Sequence, residues 1–222
     1  MTVYIAHLYY DLMNLYGENG NIKLIKYLLE SQKIKVIIDN ISLNDNIDFN
    51  KYDLIVIGCG TYNNLKLSLN HLKKYKKDIN EYIESNKFIL ATGNSIELFG
   101  QKIDEIEALK IFNYNSKKLD KRIVGDCITT TNLIKTKIIG FQNRESYIDE
   151  ITNNLFKDKD IGIKYKNFYG TYLLGPILIR NPEFAKYFVN ELIKRKNKNY
   201  KIKKYDLSLE KKAYNEYFKT YY

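Results

Sequence analysis

The feature that most constrains the fold is an alternation of strand-like and helix-like segments through the first hundred residues. Residues 53–57 (DLIVI) form a continuous, largely apolar run, which is typical of a strand buried on both faces of a parallel sheet. Residues 21–29 place apolar side chains at helical spacing, and residues 65–85 favour a long helix. This order predicts an α/β fold with an open, mostly parallel sheet flanked by helices. The other elements predicted in this half are strands at 2–8, 34–38 and 87–91 and a short helix at 94–99.

The second half of the chain has a different pattern. Residues 106–113, 122–130 and 136–142 resemble strands with no helix between them, which predicts an antiparallel extension beside the parallel core. Residues 169–179 resume as loop and strand, and Pro182 is well placed to begin a helix through residue 193. We therefore expect one domain over residues 1–196. A basic, tyrosine-rich tail at 197–222 follows, with a helix at 208–218.

Composition narrows the class of protein. No apolar run reaches the roughly 20 residues that span a bilayer, and the N-terminus lacks the features of a signal peptide. Two cysteines are too few for a disulfide framework. The net charge of +10 leaves an anionic ligand open, but the lysines are spread along the chain rather than clustered. We predict a soluble cytoplasmic protein that binds neither nucleic acid nor membrane.

Two predicted strand ends are the places to look for a ligand site. In an open parallel sheet, ligands bind beyond the carboxyl ends of the strands. Those ends are residues 58–61 (GCGT) and 91–94 (ATGN), where glycine permits close backbone approach. The two histidines and two cysteines of the chain lack the spacing of metal ligands, so we expect no metal and no cofactor.

Three long motifs carry a resemblance to a known family. Residues 8–22 read LYYDLMNLYGENGNI, residues 125–126 and 140–143 read GD and GFQN, and residues 170–178 read GTYLLGPIL before an NP pair at 181–182. Residues 205–210 (YDLSLE) add a fourth match near the C-terminus. In this order the motifs resemble the cobyric-acid-synthase-like class I glutamine amidotransferases, above all the glutaminase subunits of lipid II isoglutaminyl synthase. The resemblance runs through nearly the whole chain.

The resemblance implies a flavodoxin-like fold of the class I amidotransferase type and a particular chemistry. In the family, a cysteine on a strand-to-helix turn attacks the side-chain amide of glutamine, and a histidine transfers the proton. Backbone N–H groups stabilise the oxyanion. The ammonia passes to a Mur-ligase-like, ATP-dependent partner subunit, which amidates the D-glutamate of the bacterial peptidoglycan precursor.

This chain departs from the family at both catalytic positions. The nucleophile turn lies at residues 89–95 (ILATGNS), and Ala91, Thr92 and Gly93 are the contenders for the nucleophile position, with Thr92 favoured. The histidine of the family motif is replaced by Leu174, which cannot transfer a proton. The only histidines of the chain lie in other motifs, and we predict that both are structural. They are His7 and His71.

Other residues indicate that the chain can bind a ligand although its catalytic residues are replaced. Arg122 stands where the resemblance implies an arginine that holds the glutamine carboxylate, and a guanidinium suits bidentate carboxylate binding. We expect Gly60, Gly93 and Asn94 to complete the binding site. Cys59 borders the same site and is an alternative nucleophile, although no base is apparent to lower its pKa.

Three functions follow from the sequence. The favoured one is a non-catalytic amidotransferase-like subunit that binds a Mur-ligase-like partner and glutamine. A second is an active amidotransferase with Cys59 or Thr92 as an unusual nucleophile. A third is a module that binds another anionic ligand through its lysines.

Overall fold

The computed structural model describes residues 1–149, 151–158 and 160–221 and contains two sheets and six α-helices within them. The strands are β1 Thr2–Leu8, β2 Lys35–Ile41, β3 Leu54–Ile57, β4 Phe88–Thr92, β5 Lys102–Ile103, β6 Ile106–Glu107, β7 Asn115–Thr129, β8 Ile138–Ile148, β9 Gly162–Tyr165 and β10 Phe168–Thr171. The helices are α1 Asn19–Ser31, α2 Tyr62–Leu72, α3 Lys76–Glu84, α4 Ile177–Arg180, α5 Pro182–Lys196 and α6 Ser208–Tyr221.

The larger sheet has the strand order β2-β1-β3-β4-β10-β9. Every neighbouring pair in it is parallel except β9 with β10. The expected fold class, a largely parallel α/β sheet with an antiparallel part, is therefore confirmed. Among the described residues, no helix is both long enough and apolar enough to cross a membrane.

The continuous apolar run in β3 is explained by burial on both faces of the sheet. Leu54 and Val56 pack into the cluster that includes α1 and α5. Ile55 and Ile57 pack into the cluster that includes α2 and α3. Successive side chains of a strand point to opposite faces, so a strand covered on both sides must be apolar at every position.

The smaller sheet, ordered β6-β5-β7-β8, contains the antiparallel extension, in which β5 pairs with β6 and β7 with β8, whereas β5 and β7 are parallel. This sheet corrects one prediction. Residues 106–113 do not form a long strand: β6 covers only its first two residues, and residues 108–114 run as irregular chain. Apolar side chains in this segment, such as Leu109 and Tyr114, are buried as loop residues against the core. The apolar pattern that resembled a strand therefore belongs to a loop whose side chains are buried against the core.

Two further predictions were wrong in detail. The helix expected at 65–85 is divided by a 3-10 turn at Lys73–Tyr75 into α2 and α3. The strand expected within 169–179 ends at Thr171, and Ile177 begins α4.

The C-terminal residues pack on the rest of the chain. Tyr205 and Leu207 are buried in the cluster of α1 and α5. The Lys203 N–H donates to Gln32 Oε1 over 2.7 Å. The Tyr214 hydroxyl, on α6, donates to the Lys137 carbonyl over 2.9 Å.

Candidate functional site

Two loops meet at the carboxyl edge of the large sheet. Strands β3 and β4 are parallel neighbours, with Ile57 opposite Ala91, so the loops that follow them start side by side. Asn94 joins these loops through both atoms of its amide. Its Oδ1 accepts from the Gly60 N–H at 3.0 Å, and its Nδ2 donates to the Gly60 carbonyl at 2.8 Å. One side chain therefore fixes the spacing between the two strand ends.

The opening motif, residues 8–22, packs closely against the loop at residues 58–61. A Cβ at Gly58 would lie 2.3 Å from the Met13 carbonyl oxygen, and one at Gly60 would lie 2.3 Å from Met13 Sδ. The Leu15 N–H donates to the Cys59 carbonyl over 2.9 Å. Glycine is thus required on both sides of Cys59 because the opening motif approaches so closely.

Gly93 lies at the turn between β4 and the 3-10 helix Gly93–Phe99, and its φ is +63°. A Cβ on Gly93 would lie 2.5 Å from the Cβ and 2.6 Å from the Sγ of Cys59. It would also lie 2.9 Å from Leu174 Cδ2. The side chains of Cys59 and Leu174 therefore occupy the space that a side chain at position 93 would need.

Thr92 is the last residue of β4, with extended backbone angles, and its side chain is buried. The Thr92 hydroxyl donates to the carboxylate of Glu18. Neither Thr92 nor Ala91 is among the residues that line the cavity described below, whereas Gly93 is. Residue 92 therefore points into the protein and residue 93 lies at the turn.

The Cys59 thiol is poorly set up for ionisation. The residue is 5% exposed, and burial raises the pKa of the Cys59 thiol to about 12. The backbone of Asn94 lowers that pKa by a smaller amount, and the charges of Glu18 and Glu97 raise it. Because the thiolate is the nucleophilic form, this environment disfavours the reactive form of Cys59 at neutral pH.

Glu18 is a buried carboxyl group behind the turn. Burial raises the pKa of Glu18 to about 7, and the hydrogen bond from Thr92 offsets part of that rise. Asn21 Nδ2 donates to Glu18 Oε2 over 3.3 Å, while Oε1 has no hydrogen bond of good geometry within the described residues. The Gly175 backbone N–H faces this carboxyl and also lowers its pKa, although it does not reach that geometry.

A cavity of about 440 Å³ opens between the two loops and the smaller sheet. Its volume falls in the range of small-molecule sites. The predicted binding residues Gly60, Gly93, Asn94 and Arg122 all line it, and so does Cys59. Leu174 is buried beside Gly93 but does not belong to the lining. The charged residues of the lining carry both signs: Lys118, Arg122, Arg144, Glu97, Asp104 and Glu145.

Arg122 is held at the wall of this cavity by two residues of β8. Its Nε donates to Asn143 Oδ1 over 2.7 Å, and its Nη1 donates to Glu145 Oε1 over 3.2 Å. Asn143 in turn donates from Nδ2 to the Tyr16 hydroxyl over 2.9 Å. The bulge in β7 between Lys118 and Ile123 places Arg122 opposite these groups.

Glu97 is a buried acidic residue of the cavity lining that was not predicted from the sequence. Its carboxylate accepts from the Ser116 hydroxyl at 2.7 Å, the Tyr172 hydroxyl at 3.1 Å and the Ser146 hydroxyl. Burial raises the pKa of Glu97, and the three hydroxyls oppose that rise. The only sequence signal was a charged residue among the apolar residues Ile96, Leu98 and Phe99. Asn143 and Tyr16 lie inside the motifs at 140–143 and 8–22, where residue type alone does not indicate their role.

Neither histidine belongs to this site. His7 lies on β1, where burial lowers its pKa to about 4. His71 lies on α2, and its Nδ1 is 3.0 Å from the Tyr9 hydroxyl. Neither residue lines the cavity. Within the described ranges, no three histidine, cysteine or acidic side chains are grouped as a metal site would require.

Comparison with known proteins agrees with this architecture. Residues 4–182 match the model of the CobB/CobQ-like glutamine amidotransferase domain. The chain is 31% identical to the GatD subunit of lipid II isoglutaminyl synthase (glutamine-hydrolyzing) from Streptococcus pneumoniae over 210 residues, which cover 86% of this chain and 81% of that protein. It is also 31% identical to the GatD subunit from Staphylococcus aureus over 228 residues, which cover 96% of this chain and 93% of that one.

A solved structure shares the fold at lower identity. The crystal structure of a glutamine amidotransferase from Thermotoga maritima matches with a TM-score of 0.57 and 14% identity, over 98% of this chain and 92% of the other. The family resemblance inferred from the motifs is confirmed. This chain belongs to the CobB/CobQ-like glutamine amidotransferase domain family.

Proposed function

We propose that this chain is a non-catalytic amidotransferase-like subunit that binds L-glutamine or a related α-amino acid. In this proposal it acts with a Mur-ligase-like, ATP-dependent partner in amidation of the peptidoglycan precursor, in the bacterial cytoplasm. The observation that carries the proposal is the turn after β4. Gly93 stands there with φ +63°, and Cys59 and Leu174 fill the space of the missing side chain.

Gly93 is the best candidate for the nucleophile position, in place of Thr92, which the sequence had favoured. A nucleophile on a sharp strand-to-helix turn has a strained backbone and a side chain directed toward the ligand. Gly93 has the positive φ and lines the cavity, whereas Thr92 is extended and bonded to buried Glu18. The residue at the nucleophile position then has no side chain at all.

The missing nucleophile and the missing histidine together explain why we expect no hydrolysis of glutamine. A placed histidine contributes on the order of 10² to 10⁴ in rate, and Leu174 supplies none of it. Without a nucleophile, no thioester can form at Gly93. The buried thiol of Cys59 has a pKa of about 12 and lacks an imidazole beside it. Glutamine hydrolysis of the family type is therefore expected to be negligible.

The cavity nevertheless suits an amino-acid ligand. Its lining carries both cationic and anionic side chains, which complements a molecule with a carboxylate and an ammonium group. Arg122 offers the planar fork that recognises carboxylates. Asn94 and Gly60 hold the two loops in a fixed arrangement before any ligand arrives. A preformed site of this kind supports binding without reaction.

The partner proposal rests on the relatives. Both are named as subunits of lipid II isoglutaminyl synthase, and they match this chain over most of its length. A protein that keeps the subunit fold while losing the reaction fits a role in shaping or regulating a ligase. Co-purification with a ligase encoded nearby would support that role.

The deciding experiment measures ammonia release from L-glutamine by the purified protein, alone and with a co-expressed neighbouring ligase. Calorimetric titration with L-glutamine runs in parallel. The proposal expects binding without ammonia in every condition. The Cys59→Ala and Thr92→Ala variants serve as controls, because ammonia that disappears with either side chain would identify a working nucleophile and overturn the proposal.

One observation favours a second candidate, an amidotransferase that uses Cys59. The Cys59 sulfur lies 2.6 Å from the ideal Cβ position of residue 93 and lines the same cavity. A thiol is therefore present close to where the family places one, although it reaches that place from the neighbouring loop. This candidate predicts ammonia release that is lost in Cys59→Ala and retained in Thr92→Ala.

A further inference from the structure

A short chain of hydrogen bonds connects the opening motif with the cavity. The Tyr16 hydroxyl accepts from Asn143 Nδ2 at 2.9 Å, and Asn143 Oδ1 accepts from Arg122 Nε at 2.7 Å. All three side chains line the cavity. Tyr16 and Arg122 are 106 residues apart in the chain (122 − 16), so only the tertiary fold brings them together.

The backbone of Tyr16 is unusual for a residue with a side chain. Its φ and ψ are 61° and 22°, in the left-handed region that disfavours residues with a Cβ. Tyr16 is 42% exposed, so burial of its side chain does little to offset the cost of this backbone conformation. Strained residues of this kind persist where the surrounding structure holds them, often at ligand sites. The contact that orients the Tyr16 ring toward the cavity is its hydrogen bond with Asn143.

The same chain of contacts controls how Arg122 faces a ligand. Asn143 holds the Nε edge of the guanidinium, and Glu145 contacts Nη1 from the exposed side at 3.2 Å. Arg122 is itself half-exposed and would otherwise sample many rotamers. Fixing one edge of the planar group reduces the ordering that a bound carboxylate must impose, which strengthens binding by preorganisation.

We propose that Tyr16 and Asn143 are positioning residues that hold Arg122 for the α-carboxylate of the amino acid in the cavity. This inference rests on the proposed function, because it assumes that the cavity binds such a ligand. The Tyr16 hydroxyl fixes the Asn143 amide, and that amide fixes the Nε edge of Arg122. Removing the hydroxyl leaves the fold and the cavity lining intact but loosens the guanidinium.

The test compares Tyr16→Phe with wild type for binding of L-glutamine and of L-glutaminamide, which lacks the α-carboxylate. Loss of one hydrogen bond in the chain should weaken L-glutamine binding by roughly 3- to 10-fold. Binding of L-glutaminamide should be unchanged within twofold, so that the preference for the carboxylate falls. Tyr10→Phe is the matched control, since Tyr10 is 40% exposed in the same motif and does not line the cavity.

A double-mutant cycle separates positioning from general support. If Tyr16 acts through Arg122, then Tyr16→Phe has no further effect on L-glutamine binding in an Arg122→Ala background. Equal weakening in both backgrounds, or equal loss of both ligands, would overturn the positioning role while leaving the binding proposal in place. Failure of the wild-type protein to bind L-glutamine would overturn the proposed ligand and this inference together.

Discussion

The turn around Gly93 and the wall around Arg122 border one cavity but are built in different ways. At the turn, the structure is dense: the buried side chains of Cys59 and Leu174 fill the space that a side chain at position 93 would need. At the wall, polar groups remain in an ordered arrangement, with Arg122 bonded to Asn143 and Glu145. Under the proposed function, catalytic groups are missing at the turn, while groups suited to recognition are present at the wall.

Under the proposed function, reaction and recognition at an amidotransferase site have separable physical requirements. Reaction needs an ionisable thiol and a base in contact, and one apolar replacement removes that contact. Recognition needs only oriented donors around a cavity, and these can survive when the reacting groups are lost.

The largest effect is expected from rebuilding the reactive side. The triple variant Cys59→Gly, Gly93→Cys, Leu174→His restores a thiol at the turn and an imidazole beside it, and it clears the space between them. We expect glutaminase activity at least about 10²-fold above the wild-type background, since a placed histidine alone contributes that much. Ammonia release from L-glutamine is the measurement.

The matched control for this variant keeps Cys59. The double variant Gly93→Cys, Leu174→His places a Cβ 2.5 Å from the Cys59 Cβ, so the new thiol has no room to reach the ligand. It should stay near background. Alanine at position 59 would not relieve the contact, because the Cβ of residue 59 is itself one of the crowding atoms. Activity of the double variant equal to that of the triple would show that Cys59 does not block the turn.

The second prediction concerns the crowding around Gly93, which should appear as a loss in the free energy of unfolding when a Cβ is added there. Gly93→Ala should lower the free energy of unfolding by roughly 3 kcal/mol, from positive φ and overpacking together. Gly17→Ala shares a positive φ, +74°, but has open space around its Cβ and should cost only about 1 kcal/mol. Urea denaturation of both variants gives the comparison. Combining Gly93→Ala with Cys59→Gly should recover most of the difference, and equal costs at positions 93 and 17 would refute the crowding argument.

The third prediction concerns Glu18, which lies behind the turn. Its pKa of about 7 is above the ordinary value of 4.5, so the folded state keeps a proton that the unfolded chain has released between these pH values. The contribution of protonated Glu18 to the free energy of unfolding is fully present below pH 4.5. It is lost as the pH rises from there through 7, by up to about 1.4 kcal/mol per pH unit. Glu18→Gln should remove this slope.

The measurement is the difference in free energy of unfolding between wild type and Glu18→Gln from pH 5 to pH 8. Taking the difference is necessary because His7, whose pKa is lowered from 6.5 to about 4, contributes a slope of opposite sign between these two pH values, which overlaps the measured range. Glu30→Gln is the control, as Glu30 is an exposed helical carboxylate. A constant difference between wild type and Glu18→Gln across this range would contradict a shifted Glu18.

The smallest effect is expected at the recognition wall. Glu145 competes with a ligand carboxylate for Arg122, but the pair is exposed, and such pairs contribute about 0 to 1 kcal/mol. Glu145→Gln should therefore tighten L-glutamine binding by no more than about fivefold. Calorimetric titration at low and moderate salt would detect it. Weaker binding in the variant would mean that Glu145 orients Arg122 instead of competing for it.

Much of the fold could be predicted from the chain because its main signals are local. The apolar run of β3 predicted a strand buried on both faces, and the structure packs it between two helical layers. Strand β1 was predicted with its observed bounds, Thr2–Leu8. Residues 106–113 were predicted wrongly because their apolar side chains are buried in irregular chain, and periodicity alone does not distinguish that case from a strand.

The sequence by itself determined the family, the α/β architecture and the absence of a histidine at position 174. These depend on residue identity and order, which the motifs preserve. Two relations emerged only from the packing of the chain: Gly93 is crowded by Cys59 and Leu174, and Tyr16 reaches Arg122 through Asn143. Both relations join residues far apart in the chain. Their distances are set by how the two sheets and the opening motif pack, and no local pattern records them.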